Sequence, residues 1–173
     1  MAKVTAINSL NKTKSADEVF MATLSRISCG LKVDFTYPVN IKFNCNNCGL
    51  CCGDTKQKSR RILLLEVEAK KIASHTFRLI PDFSAEIKDM PSYVYEMKKT
   101  SEGKCVYLKD NQCSIYALRP LICMFYPFEL KFDEQKRLHS FDFTLECPGI
   151  NKGKVFHVKD FKKLFELAQE RLG

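Results

Sequence analysis

The chain is 173 residues long, enough for one domain with its own core and too short for two full ones. Hydrophobic residues make up 45% and charged residues 28%, which excludes a disordered chain. Lysine plus arginine exceed aspartate plus glutamate by 28 to 20, a formal +8 that draws the chain toward RNA, an acidic protein or an anionic surface without choosing among them. Ser15 and Glu18 form an S-x-x-E capping box, Phe20, Leu24 and Ile27 recur at helical spacing, and Gly30 offers a stop, so a helix is expected over about residues 16–29. From Val33 to Phe43 every odd-numbered residue is apolar or aromatic, the period of a half-buried strand, with Pro38 marking an edge or extended segment. Leu65, Ala69, Ile72 and Ala73 share one helical face, ended by Pro81.

Between the breakers Pro91 and Gly103 a short helix is expected near residues 92–99. Lys104–Leu108 and Cys113–Tyr116 read as two short strands around the turn Lys109-Asp110-Asn111-Gln112, a pairing that brings Cys105 and Cys113 close. Ala117–Tyr126 reads as a short helix or helical turn interrupted at Pro120. Phe128–Phe132 and Leu138–Phe143 read as a hairpin around Asp133-Glu134-Gln135-Lys136, and Cys147-Pro148-Gly149 as a turn. Val158, Phe161, Phe165, Ala168 and Leu172 form an amphipathic stripe and predict a C-terminal helix over about residues 158–172. The pattern implies one α+β domain over residues 1–173, of helices and short antiparallel strands pinned by one or two cysteine-ligated metal centres at about residues 43–150.

The unusual feature of the composition is nine cysteines. The N-terminus has no basic start followed by an apolar core and a cleavage site, and no apolar run is long enough to span a bilayer, so a cytoplasmic protein with no membrane partner is expected. In that reducing compartment structural disulfides seldom persist, and an odd count fits a complete disulfide framework badly, so the cysteines point to metal ligation. Two ligands separated by two residues can face one ion because a tight turn directs both thiolates inward. Cys45, Cys48 and Cys51 do this twice in succession, with the spacing of the first three ligands of a bacterial ferredoxin run, and Cys147 before Pro148 is like its remote fourth ligand. An iron-sulfur cluster, 4Fe-4S in type, is therefore preferred over zinc, whose four-thiolate sites also use Cys-x-x-Cys knuckles. Cys52 follows Cys51 directly, and adjacent residues in most backbone conformations project apart, which raises a second centre as the alternative. The candidate ligands are Cys45, Cys48, Cys51, Cys52, Cys105, Cys113, Cys123 and Cys147, divisible into two sets of four; Cys29 reads as a packing residue.

Taken in order, Cys45-x-x-Cys48-x-x-Cys51-Cys52, Lys104-Cys105-Val106-Tyr107-Leu108, Gln112-Cys113-Ser114-Ile115-Tyr116, Arg119-Pro120-Leu121-Ile122-Cys123, Tyr126-Pro127-Phe128 and Cys147-Pro148-Gly149 resemble the YkgJ-type cysteine-cluster family over about residues 43–150. The resemblance implies a zinc- or iron-chelating or Fe-S-cluster domain without a settled reaction. Some relatives are flagellin lysine methylases, which adds a methyltransferase-associated protein as an alternative, although no glycine-rich turn after a strand offers a methyl-donor site here. Met124 departs from the family pattern, where relatives often carry arginine after the cysteine.

Lys56, Lys58, Arg60 and Arg61 follow the cysteine run and could grip phosphate of an RNA or ribonucleoprotein, or meet a protein partner; a solvated charged loop is the plainer reading. The leading reading is a metal-binding protein whose iron-sulfur or zinc centre serves electron transfer, metal handling or support of a protein-modification reaction, and the alternative is a zinc-stabilised basic binding module on RNA or a ribonucleoprotein. Arg119 reads as holding loop carbonyls, and Tyr107, Tyr116, Phe125, Tyr126 and Phe128 as a dry shell around the centre. His75, His139 and His157 read as surface or packing residues. No catalytic residue is assigned.

Overall fold

The structure, a computed structural model, describes residues 4–6, 21–28, 31–55 and 58–173, those up to residue 34 by their backbone. In chain order the strands and helices are β1 (Val4–Ala6), β2 (Met21–Ser28), β3 (Leu31–Pro38), β4 (Lys42–Phe43), β5 (Leu63–Leu64), α1 (Glu66–Thr76), α2 (Ile80–Phe83), β6 (Ser84–Glu86) and β7 (Tyr95–Met97). There follow β8 (Leu108–Lys109), β9 (Gln112–Cys113), α3 (Leu121–Phe125), β10 (Phe128–Asp133), β11 (Leu138–Phe143), β12 (Lys154–Val155) and α4 (Val158–Leu172). Helices and short, mostly antiparallel strands make this an α+β protein. Among the described residues no helix is long and apolar enough to cross a membrane. The chain divides into two compact units, one of Met1–Asn44 with Pro127–Arg171 and the other of Cys45–Tyr126.

The first unit is a five-stranded sheet in the order β1-β2-β3-β11-β10, crossed by α4. The helix expected over residues 16–29 is overturned where the structure describes it: Met21–Ser28 is β2, paired along its whole length with β3 from Met21 opposite Pro38 to Ser28 opposite Leu31. Residues 16–20, Cys29 and Gly30 lie outside the described residues. Apolar residues at positions 20, 24 and 27 fit a helical stripe, but Thr23 and Ile27 are β-branched, and an antiparallel partner of equal length outweighs a weak periodicity. The alternation from Val33 onward is a strand only as far as Pro38, after which Asn40 at φ 61° turns the chain into the short β4. The expected hairpin of β10 and β11 forms in full register, Phe128 opposite Phe143 and Asp133 opposite Leu138. One feature departs from the antiparallel expectation: β11 runs parallel to β3, His139 opposite Phe35.

The stripe on α4 explains its seat. Phe161 is fully buried and meets the rings of Tyr37, Phe128, Phe141 and Phe156 at 4.9–5.3 Å between centroids, while Phe165 meets Phe35 and His139. The chain thus builds this core from phenylalanine rather than tryptophan. His139 is packed between Phe132 and Phe165, and burial lowers its pKa below the usual histidine value, so it is a packing residue as its isolation in the sequence implied.

The second unit joins a three-stranded sheet, β5-β7-β6, to α1, α2, α3 and the β8–β9 hairpin. The face of Leu65, Ala69 and Ile72 is buried as expected, but α1 ends at Thr76, where Phe77 adopts the left-handed conformation; Pro81 lies in the first turn of α2 instead of ending α1. Proline suits that place because its missing N–H is unpaired there anyway. The short helix expected near residues 92–99 is overturned, since Tyr95–Met97 is the central strand β7, with Leu63 and Ala85 flanking Glu96. Tyr93, Val94 and Tyr95 favour a pleated backbone, and two waiting edges fix the outcome. The expected strands at Lys104–Leu108 and Cys113–Tyr116 shrink to the two-residue β8 and β9, joined by Asp110 and Asn111 at φ 48° and 58°, the primed turn that suits a tight hairpin.

Candidate metal centre

The cysteine run begins as loop, with Cys45 exposed and its Sγ 3.6 Å from Asn47 Oδ1. Gly49, at φ 71°, supplies the left-handed residue that a short 3-10 turn over Leu50–Cys52 needs at its start, and the Cys52 N–H closes the turn on the Gly49 carbonyl at 3.0 Å. That turn sets the thiols of Cys51 and Cys52 facing each other, Sγ to Sγ 3.7 Å, where simple alternation would have sent them apart. Gly53 lies so close to the backbone of Gly103 and Lys104 that a Cβ there would meet the Gly103 carbonyl at 2.5 Å. The close approach lets the Asp54 N–H donate to Gly103 O and the Cys105 N–H donate to Cys52 O at 2.6 Å, which draws Cys105 to the run.

Cys113 arrives by the β8–β9 hairpin, close enough to Cys52 for the two thiols to shift each other's proton affinity; Cys123 arrives on α3, and Cys105, Cys51 and Cys113 act on its charge. Five thiols, those of Cys51, Cys52, Cys105, Cys113 and Cys123, therefore share one neighbourhood against Ile62, Leu64, Ile72, Phe83, Met97, Tyr107 and Ile115. Cys48 is half-buried in the loop that carries Cys45, and Cys147 is buried in the first unit, in a turn closed by the Ile150 N–H on its carbonyl at 3.0 Å. Among the described residues no three histidine, cysteine or carboxylate side chains stand in a ready-made coordination geometry.

The electrostatics of the five thiols are uneven. Cys51 is lowered to about 7, first by the hydrogen bond from Cys52 and further by the charge of Arg60. Cys113 is lowered to about 6, again first by Cys52, then by its bond from the Ile115 backbone and by the charge of Arg119. Cys52 is raised, because it is the proton donor held between these two neighbours. Burial raises Cys105 to about 11 and raises Cys123 as well. Cys52 thus favours the thiolate form of its neighbours Cys51 and Cys113, and thiolate is the form that binds a metal.

Two arginines frame this neighbourhood. The Arg60 guanidinium lies 4.2 Å from the centroid of the Tyr126 ring and that of Arg119 lies 3.8 Å from the centroid of Tyr116, cation-π stacks that hold both charges in place. The expectation that Arg119 holds loop carbonyls is not met at its Nε, which is buried with no hydrogen-bond partner among the described residues. A buried donor left unpaired costs about 1–3 kcal/mol. Of the basic loop, Lys56 lies outside the described residues, Arg61 is ion-paired with Asp89 at 2.5 Å and Glu96 at 2.7 Å, and Arg60 is stacked as above. These contacts within the unit make Arg60 and Arg61 structural cations first.

Sequence reasoning passed over Asp54 and Glu68. Asp54 accepts from Ser59 Oγ, the Arg60 N–H and Lys99 Nζ, which tethers the loop after the run and orients Arg60; Lys99 above all holds the Asp54 carboxyl below its usual range. Glu68, buried, accepts the Leu65 N–H at 3.1 Å and the Leu121 N–H at 2.7 Å, capping α1 and fixing the start of α3, on which Cys123 rides. The half capping box Leu65-x-x-Glu68 was the available signal.

Thiolate donors suit zinc and iron alike, and the grouped thiols with two adjoining guanidinium charges fit a centre that carries net negative charge once four thiolates surround a divalent ion. A family model, CxxCxxCC, described as "Putative zinc- or iron-chelating domain", matches residues 44–148. An uncharacterised protein of Methanocaldococcus jannaschii is 27% identical over 151 residues, which span 82% of this chain and 77% of that protein. No solved structure matches.

Proposed function

The chain belongs to the CxxCxxCC family of zinc- or iron-chelating domains, and from that premise we propose that Cys45–Tyr126 is a thiolate module that holds a single zinc or iron ion. The ion would take four of the five grouped thiols, with Cys51, Cys52 and Cys113 at the heart of the set. The observation that carries this reading is the 3.7 Å approach of the Cys51 and Cys52 sulfurs, with Cys105, Cys113 and Cys123 packed in the same cluster. Four thiolates at about 2.3 Å from one ion in a tetrahedron stand about 3.8 Å apart. The thiolates of a cubane bind separate irons at separate corners and lie farther apart, so close sulfurs favour one ion over a 4Fe-4S cluster. Ligation still requires thiols to turn about χ1, a soft torsion between staggered wells.

A closed four-thiolate ion supplies structure: it crosslinks the loops that carry its ligands. The residues of this chain prepare that role. Gly49 and Gly53 shape the run, Asp54 tethers the loop that follows, and Glu68 fixes α3. The proposed function is a metal-stabilised domain without chemistry at the ion itself.

Metal content of serine variants tests the assignment. Cys51→Ser, Cys52→Ser and Cys113→Ser should each lose nearly all bound metal, while Cys45→Ser, its thiol exposed and turned to Asn47, should keep one ion per chain by elemental analysis. Full metal retention by Cys52→Ser, or four irons per chain with matching sulfide in the unaltered protein, would contradict the proposal.

A further inference from the structure

Arg119 holds one feature that thiol ligation alone does not use. Its charge is fixed over Tyr116 with the guanidinium carbon 3.8 Å from the ring centroid, it acts on Cys113, and its Nε is buried with no hydrogen-bond partner among the described residues. Proteins seldom bury a donor unless a partner is meant to reach it. Three other arginines of this unit are already engaged, Arg60 with Tyr126, Arg61 with Asp89 and Glu96, and Arg78 with the Asp82 carbonyl and Tyr107.

We infer that Arg119 is the positioning residue of the metal centre, its Nε–H donating to the sulfur of a ligating Cys113 thiolate. The inference rests on the thiolate reading above. Ligation turns a thiol into a thiolate that carries more negative charge and accepts hydrogen bonds strongly. A stacked arginine beside it orients that sulfur and offsets part of the charge that four thiolates bring. Lysine could supply the charge but not a planar N–H held by an aromatic face. The orphaned donor and the ring stack are then two parts of one device, the ring fixing the plane and the nitrogen meeting the sulfur.

Cobalt(II) binding to the full chain tests this, because the sulfur-to-cobalt charge-transfer band reads the sulfur directly. An N–H···S bond stabilises the sulfur lone pairs and raises the energy of that band. In Arg119→Met the band should move to longer wavelength, and cobalt affinity measured against a competing chelator should fall about tenfold or more, as for other residues that orient metal ligands. Arg61→Met, which removes a cation paired with Asp89 and Glu96, should leave the band in place. Should Arg119→Met fail to fold, Arg119→Lys keeps the charge and the stem, and its band should still move. An unmoved band in folded Arg119→Met or Arg119→Lys overturns the inference, whether or not affinity falls: packing alone predicts the first result, and charge without a hydrogen bond predicts the second. Absence of any thiolate-to-cobalt band in the unaltered protein overturns the thiolate reading and this inference with it.

Discussion

Phe77 shows what a single residue can cost. It closes α1 in the left-handed conformation, φ 54°, a position where glycine is usual, and its ring is 95% exposed, so little packing offsets the strain. Phe77→Gly should raise stability by about 0.5–1 kcal/mol in urea denaturation, the relief of strain exceeding the extra freedom of glycine in the unfolded chain; a loss of stability would mean that the ring has a contact of consequence. The same scale separates what the cysteines disclosed from what they hid. Residue type and spacing pointed to metal ligation, because two intervening residues let a tight turn direct both thiols at one ion. Which sulfurs meet was hidden: the Cys51–Cys52 contact depends on Gly49 starting a 3-10 turn, and the arrival of Cys105 depends on Gly53 admitting the Gly103 carbonyl. Arg119 carried no sequence signal of an unpaired nitrogen, since that is a property of what surrounds it.

At the scale of elements, strong periodicity succeeded and weak periodicity lost to pairing. The α4 stripe and the β10–β11 hairpin were legible because each carries a strong local pattern, Phe161, Phe165 and Ala168 buried on one side of the helix and the two strands paired in full register, and the two helices expected near residues 16–29 and 92–99 gave way to β2 and β7 because partner strands stood ready. Phe161→Ala should cost about 3–5 kcal/mol, the usual penalty for deleting a fully buried aromatic ring, measurable by chemical denaturation; a cost under about 1 kcal/mol would refute its place at the centre of the aromatic core. Glu68 links two elements, since its carboxylate accepts from the first turns of α1 and α3 at once. Glu68→Gln keeps the shape but leaves only one accepting oxygen for two N–H groups. It should destabilise the fold by about 1–3 kcal/mol, and amide exchange at Leu65 or Leu121 should quicken; unchanged exchange at both would contradict the bridge.

At the scale of the molecule, an ion held as proposed would make Cys45–Tyr126 the part whose stability depends on it. Its regular elements are short and its loops long, so a thiolate crosslink would contribute a large share of its folding free energy. The unit built on the sheet and α4 rests on aromatic packing instead. Removing metal with a chelator should therefore bring the first proteolytic cuts within residues 45–126, mapped by mass spectrometry, and leave α4 protected; first cuts in α4 would place the dependence elsewhere. The most direct test of the central claim is X-ray absorption at the edge of whichever metal the purified protein carries. One shell of about four sulfurs at about 2.3 Å with no second metal nearby is the result expected for a single thiolate-bound ion. A metal–metal scattering shell, or a first shell dominated by nitrogen and oxygen, would contradict it.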